Sequence, residues 1–304
     1  MTHTNLVQSV FLAGLRLLEP EQIARPEPIG RIEEVRVVES SGLAHSRQIP
    51  GLWWTHNDSG HTPHLFPMAA DGASRGAPVK IGGARNVDWE DLAADDHGQL
   101  WISDLGNNRN LRRDLTVYVI DEPRPDPDGT FPAEVPVKRS FRVRYPDQEA
   151  FPPEQRNFDS EGIFVRGTTL YVLTKHRSDP HTKLYKLETG LIPPGEDHER
   201  ELTLVQTFEN IGMVTGSALH PDGKRLAVLT YTGVWLFETD GETEELLGGR
   251  VAVLPAAFRA WGQVEGIDWL DGETLLISNE QSDLFRIRVD QLGPPPVFEP
   301  ASGE

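Results

Sequence analysis

Five segments of this chain begin alike, and that repeat restricts the fold more than any other feature. They are SSGLAHS (40–46), WEDLAAD (89–95), SEGIFVR (160–166), VTGSALH (214–220) and VEGIDWL (264–270). Four carry Ser or Glu, then a small or acidic residue, then Leu or Ile: Ser41-Gly42-Leu43, Glu90-Asp91-Leu92, Glu161-Gly162-Ile163 and Glu265-Gly266-Ile267. Thr215-Gly216-Ser217 is the loosest copy. Each segment is followed by a β-rich run, and Thr55, Ser103, Thr174, Thr230 and Ser278 fall 14, 13, 13, 15 and 13 residues after the first column. A third run brings an aromatic to matching depth: Phe66, Tyr118, Tyr185, Trp235 and Phe285. Repeats of this length mark stacked or radial units that cannot bury their apolar faces alone.

Each unit reads as four short strands. Asp96-His97-Gly98, Pro221-Asp222-Gly223 and Asp271-Gly272 supply turns between the first two. Candidate fourth strands are Pro78–Gly82, Val137–Tyr145, Leu202–Phe208 and Val251–Leu254. The last unit lacks one, and Ile32–Val38, ahead of the first unit, can complete it. This closure predicts a single all-β domain, a five-bladed β-propeller, with six blades as the alternative. The domain spans 29–292, preceded by an extension (1–28) holding a short amphipathic helix over Leu6–Leu18 and followed by a mobile tail (293–304). The second unit is long because of Pro-rich inserts, Glu122–Pro136 and Pro146–Pro153, read as surface loops.

The inner strand of every blade lines the central channel, so the first-column residues form a ring at one mouth. That ring is Ser41, Glu90, Glu161, Thr215 and Glu265. Three carboxylates around a narrow axis repel, and a divalent cation relieves them more completely than raised pKa values. An all-oxygen set with several carboxylates favours Ca²⁺ ahead of Mg²⁺ or Mn²⁺. The reading without metal has each carboxylate bonded to backbone amides. The net charge of −18 argues against nucleic acid and against a bare anionic membrane. No cysteine is present, which excludes thiolate ligands and a cysteine nucleophile. Without a convincing signal peptide the expected location is the cytoplasm, with a monomer as the default.

The loops after the second strands return to the same mouth. They carry Asn57, Asp58, Asp104, Asn107, Asn108, Lys175, His176, Arg177 and Asn279. Lys175, His176 and Arg177 are candidate ligands for a small anion beside the metal, with Asn57, Asn108 and Asn279 around them. Asp58, Asp104 and His176 are candidate catalytic groups. The alternatives are ion pairs with neighbouring acids such as Asp179 and Asp114, and Asx turns for the asparagines. Arg112 and Arg113 are expected to face solvent. The hydroxyl column is read as inter-blade hydrogen bonding and the aromatic column as core.

THNDSG (55–60), DWEDLA (88–93), SDLGNN (103–108), NFDSEG (157–162), LTKHR (173–177) and VTG (214–216) resemble bacterial propeller-repeat proteins over about 31–290. That resemblance implies the fold more than an activity. The order Ser, Glu, Glu, hydroxyl, Glu is similar, more distantly, to the calcium-activated nucleotidases, five-bladed apyrases with Ca²⁺ in the central tunnel. By motif position Ser41 would take that family's first Ser, and Glu90, Glu161 and Glu265 its glutamates. Thr215 stands where the family has Ser, and the family's substrate loops have no counterpart here. Two functions follow: a Ca²⁺-dependent hydrolase of anionic esters or phosphoanhydrides, or a non-catalytic scaffold with a structural metal.

Overall fold

Twenty-two strands appear in the computed structural model, which describes residues 26–193, 198–256 and 258–295. The predicted helix at Leu6–Leu18 and most of the tail lie outside these residues. Among the described residues no helix is long and apolar enough to cross a membrane.

The first strand, β1 (Glu27–Arg31), belongs to the last blade. Blade 1 then runs β2 (Ser40–His45), β3 (Trp53–Asn57), β4 (His64–Met68) and β5 (Val79–Gly82). Blade 2 is β6 (Asp91–Ala94), β7 (Gln99–Asp104), β8 (Thr116–Asp121) and β10 (Arg139–Arg144). Blade 3 is β11 (Asp159–Arg166), β12 (Thr169–Lys175), β13 (Thr182–Glu188) and β15 (Thr203–Phe208). Blade 4 is β16 (Val214–Leu219), β17 (Arg225–Thr230), β18 (Gly233–Glu238) and β19 (Arg250–Pro255). Blade 5 is β20 (Val264–Asp271), β21 (Thr274–Asn279) and β22 (Asp283–Arg288), completed by β1. The protein is therefore a five-bladed β-propeller.

Three details depart from the sequence reading. The closing strand is Glu27–Arg31, antiparallel to β22, and Ile32–Val38 is the loop into blade 1. In that loop only Ile32 and Val37 are buried, while Val35 is 86% exposed. The insert Glu122–Pro136 is not all loop. Its end, β9 (Glu134–Pro136), pairs in parallel with β5, and Phe131 packs edge-on against Trp54. Blade 2 gains a parallel outer pair from β14 (Arg200–Glu201). Both additions cover edges that would otherwise present unpaired backbone groups.

The core is distributed, with an apolar cluster between each pair of neighbouring blades. Leu65, Val79, Trp89 and Ile102 fill the gap between blades 1 and 2, and Trp101, Phe141, Ile163 and Tyr185 that between 2 and 3. Leu173, Leu184, Val228 and Phe237 pack between 3 and 4, and Leu229, Leu236, Ile277 and Phe285 between 4 and 5. Leu43, Trp53, Leu276 and Leu284 close the ring between 5 and 1. Each aromatic of the third column faces one of these gaps. Burying a large apolar side chain contributes about 1.5–3 kcal/mol, so every gap holds the ring shut.

The inner strands β2, β6, β11, β16 and β20 touch in a closed cycle around the axis. Polar bonds tie them together. Ser41 Oγ donates to the Glu90 carbonyl (2.7 Å), Ile163 N to Asp91 Oδ2 (2.8 Å), and His45 N to Asp268 Oδ2 (2.7 Å). The hydroxyl column contributes less to this than its regularity suggests. Thr55 and Thr230 donate to carbonyls of their own blades, and Ser278 alone reaches a neighbouring blade, accepting from Ser40 Oγ at 3.1 Å.

Candidate metal centre at the axial mouth

A β-bulge aims the ring residues inward. In blades 3, 4 and 5 the ladder register slips at the first column, leaving Glu161, Thr215 and Glu265 as the extra residue opposite one partner. In blade 2, Glu90 N bonds to the Ser103 carbonyl (2.9 Å), which Asp91 also faces across the ladder. In blade 1 the slip falls one residue later, at Gly42, whose φ of +62° suits glycine. A bulge turns a side chain out of the sheet's alternation, here toward the axis. All five ring side chains are buried.

The mouth holds more carboxylates than the ring. Ligand oxygens lie within 4.8 Å of one another in three groups: Asp58, Asp88 and Glu90; Asp58, Glu265 and Glu280; and Glu90, Asp159 and Glu161. Asp88, Asp159 and Glu280 were not assigned from sequence. Asp88 and Asp159 had a legible signal, since DWE (88–90) and DSE (159–161) repeat an acid two residues before the ring glutamate. Glu280 had none beyond its place after the second strand of blade 5. Gly106 lets this cluster form, because a Cβ there would lie 2.1 Å from Glu90 Oε1 and 2.5 Å from the Asp88 carboxyl carbon.

Two cations sit on one side of the cluster. Lys175 Nζ is 3.0 Å from Glu161 Oε1, both side chains being buried. It also donates to Tyr231 Oη (3.1 Å), which donates in turn to Glu265 Oε1 (3.2 Å). Arg177 grips Asp159 through Nε (2.9 Å) and Nη2 (2.7 Å) and lies 3.7 Å from Glu161. Asp159 also accepts from Asn107 N (2.6 Å). Among the described residues, no ion pair reaches Asp58, Asp88, Glu90, Glu265 or Glu280, and two buried atoms of the mouth, Glu265 Oε2 and Thr215 Oγ1, have no hydrogen-bond partner.

The proton affinities reflect this imbalance. Burial, then the charges of Glu161 and Asp58, push Glu90 well above the carboxylate range. Burial raises Glu161 to about 7 even against the pull of Lys175. Glu265 is also raised, mainly by burial, with Lys175 opposing. Asp88 is lifted to about 7 by burial and by Asp58 and Asp159. Asp58 and Glu280 are raised by burial, and Asp58 adds to the effect on Glu280. Burial works against the charge on Lys175, but Glu161, Tyr231 and Glu265 keep it protonated.

The remaining sequence candidates have other partners. His176 Nδ1 bonds to Asp179 Oδ1 (2.6 Å), and burial lowers its pKa. Asp104 is buried, accepts from Asp88 N (2.9 Å) and pairs with Arg112 (2.9 Å). Arg112 therefore does not face solvent as expected; it also donates to the Gly106 carbonyl (2.7 Å), behind the mouth. Arg113 stacks over Phe151 at 3.8 Å. Asn57 accepts from Val38 N (2.9 Å) and donates to the Arg36 carbonyl (2.7 Å). Asn279 donates to the Trp261 carbonyl and accepts from Asp283 N, both at 2.8 Å. Asn108 accepts from Arg177. His56, which the sequence brings to the mouth in the same loop as Asn57 without a role, is buried against Trp89 and held neutral, its pKa lowered by burial to about 4.

No family model and no curated protein matches the chain. Solved structures align with it distantly, three of them at 13% identity. A gluconolactonase from Xanthomonas campestris aligns over 88% of this chain and 98% of its own, with a TM-score of 0.42. A protein of unknown function from Desulfotomaculum acetoxidans aligns over 83% and 69%, with a TM-score of 0.41. A chain of a mitotic checkpoint complex aligns over 81% of this chain, with a TM-score of 0.38, and the alignment spans 60% of that longer chain. At these TM-scores the likeness says nothing about substrate.

Proposed function

We propose that the mouth binds a divalent cation, Ca²⁺ ahead of Mg²⁺ or Mn²⁺, and that the loaded protein hydrolyses small anionic esters or phosphoanhydrides. The supporting observation is the set of buried oxygens without donors, Glu265 Oε2 and Thr215 Oγ1, beside carboxylates that form no ion pair. A buried carboxylate without a counter-charge is costly, and hard oxygen ligands suit Ca²⁺. Glu90, Glu265 and Asp58 would hold the ion, with Ser41, Thr215 and Glu161 completing the ring. Bound there, the cation would polarise the scissile group and orient a water. Of the candidate bases, Asp104 is tied to Arg112 and Asp58 would be a ligand of the ion. The similarity of the ring order to calcium-activated nucleotidases points the same way.

A non-catalytic scaffold is the second reading, and one observation favours it. Arg177, His176, Asn57 and Asn279, read as anion-binding groups, are all engaged by internal partners. Hydrolysis of nucleoside diphosphates, phosphate esters and lactones by metal-stripped protein, with and without added Ca²⁺, separates the two. Turnover that needs Ca²⁺ and is lost in Glu265→Gln supports the hydrolase. A Ca²⁺-dependent melting temperature without turnover supports the scaffold.

A further inference from the structure

The seven carboxylates of the mouth are unevenly neutralised. Lys175 and Arg177 both lie on the blade 3 side, against Glu161 and Asp159. The third group, Glu90 with Asp159 and Glu161, is thus largely compensated. Among the described residues the other two groups make no ion pair, Lys175 reaching Glu265 only through Tyr231, and both contain Asp58: one pairs it with Asp88 and Glu90, the other with Glu265 and Glu280.

We infer that the mouth holds two divalent cations side by side, bridged by Asp58, one on Asp88 and Glu90 and the other on Glu265 and Glu280. This deepens the proposed function and rests on it. Charge is the first argument. With all seven acids ionised, as ligands must be, Lys175 and Arg177 leave five negative charges; one divalent ion leaves three and two leave one. Geometry is the second. Oxygens that bind one Ca²⁺ at about 2.4 Å can lie up to about 4.8 Å apart on opposite sides of it, and one oxygen from each member of a group lies within 4.8 Å of the others. Glu265 is a member of the second group and its Oε2 is buried without a donor, an observation beyond the acidic cluster itself. The blade 3 side would then serve as a fixed positive wall, and a bridging carboxylate suits ions about 3.5–4 Å apart, the arrangement that clamps a phosphoryl or acyl oxygen from two sides.

The test is a Ca²⁺ count on metal-stripped full-length protein, by titration calorimetry and by native mass spectrometry. The inference expects two ions per chain. Asp88→Asn and Glu280→Gln should each leave one ion, and Asp58→Asn should weaken both by about tenfold or more. Two ions in the wild type, with Asp88→Asn and Glu280→Gln removing different ones, establish the pair. One ion in the wild type, weakened by both substitutions, overturns the pair and leaves the single-cation reading intact. No bound ion overturns both. Because Asn and Gln remove charge from a crowded cluster, these variants should fold, and circular dichroism on the same samples checks that they do.

Discussion

Metal-free protein should lose stability as pH rises through the neutral range, and Ca²⁺ should abolish that loss. Glu161 supplies the magnitude. Its ordinary value is 4.5 and burial raises it to about 7 in the fold, a difference of about 3 kcal/mol. The sign follows from proton binding: the folded state holds this proton more tightly than the unfolded chain. The stability it contributes is complete below about pH 4.5 and is lost as pH climbs to about 7. Glu90 and Glu265 are shifted in the same direction. Near the melting point a domain of this size loses about 0.6 kcal/mol per degree, so Glu161 alone is worth ~5 °C. Thermal melts by circular dichroism from about pH 5 to about pH 8, in chelator and in millimolar Ca²⁺, measure it. The melting temperature in chelator should fall by at least that amount, and Glu161→Gln should recover part of it. The curve in Ca²⁺ should stay flat. A metal-free melting temperature that is level or rises over this range would mean that Glu161 is not protonated in the fold, as would an identical fall in Glu161→Gln.

Three further outcomes follow. Lys175→Met removes the 3.0 Å partner of Glu161, so the metal-free form should lose about 3–5 kcal/mol and gain more from Ca²⁺ than wild type, read by denaturant melts with and without the ion. Gly106→Ala places a methyl group where Glu90 and Asp88 sit. It should weaken Ca²⁺ binding by about tenfold or more while leaving the far-ultraviolet spectrum unchanged. Removal of residues 1–31 deletes β1, including the Arg286–Glu27 ion pair (2.7 Å), and exposes β22 as an open edge. It should lower the melting temperature and promote association, seen by light scattering.

Much of the fold was legible because each blade repeats the same burial. The first column, the hydroxyl column and the aromatic column mark inner strand, second strand and inter-blade core. Trp235 and Phe285 sit in those gaps as their spacing implied. The closing strand was not legible. An outermost strand needs backbone pairing more than apolar side chains, and Glu27–Arg31 carries only Ile29 as a large apolar residue. Ile32–Val38 is rich in β-branched residues like a strand but belongs to a loop whose Val37 amide bonds to the Glu34 carbonyl. The ring positions could be read from sequence, yet the bulges that turn them inward could not, since a bulge is a property of two paired strands. The charges of the mouth were hardest to read. Lys175 and Arg177 looked like anion ligands, and only the folded geometry places them against Glu161 and Asp159.

An anomalous-scattering crystal structure with Sr²⁺ in place of Ca²⁺ decides whether this mouth is a cation site. A cation site gives anomalous density among Asp58, Glu90 and Glu265, with Lys175 still on Glu161. A mouth without an anomalous peak at millimolar Sr²⁺, with its carboxylates bonded only to one another and to water, would contradict it.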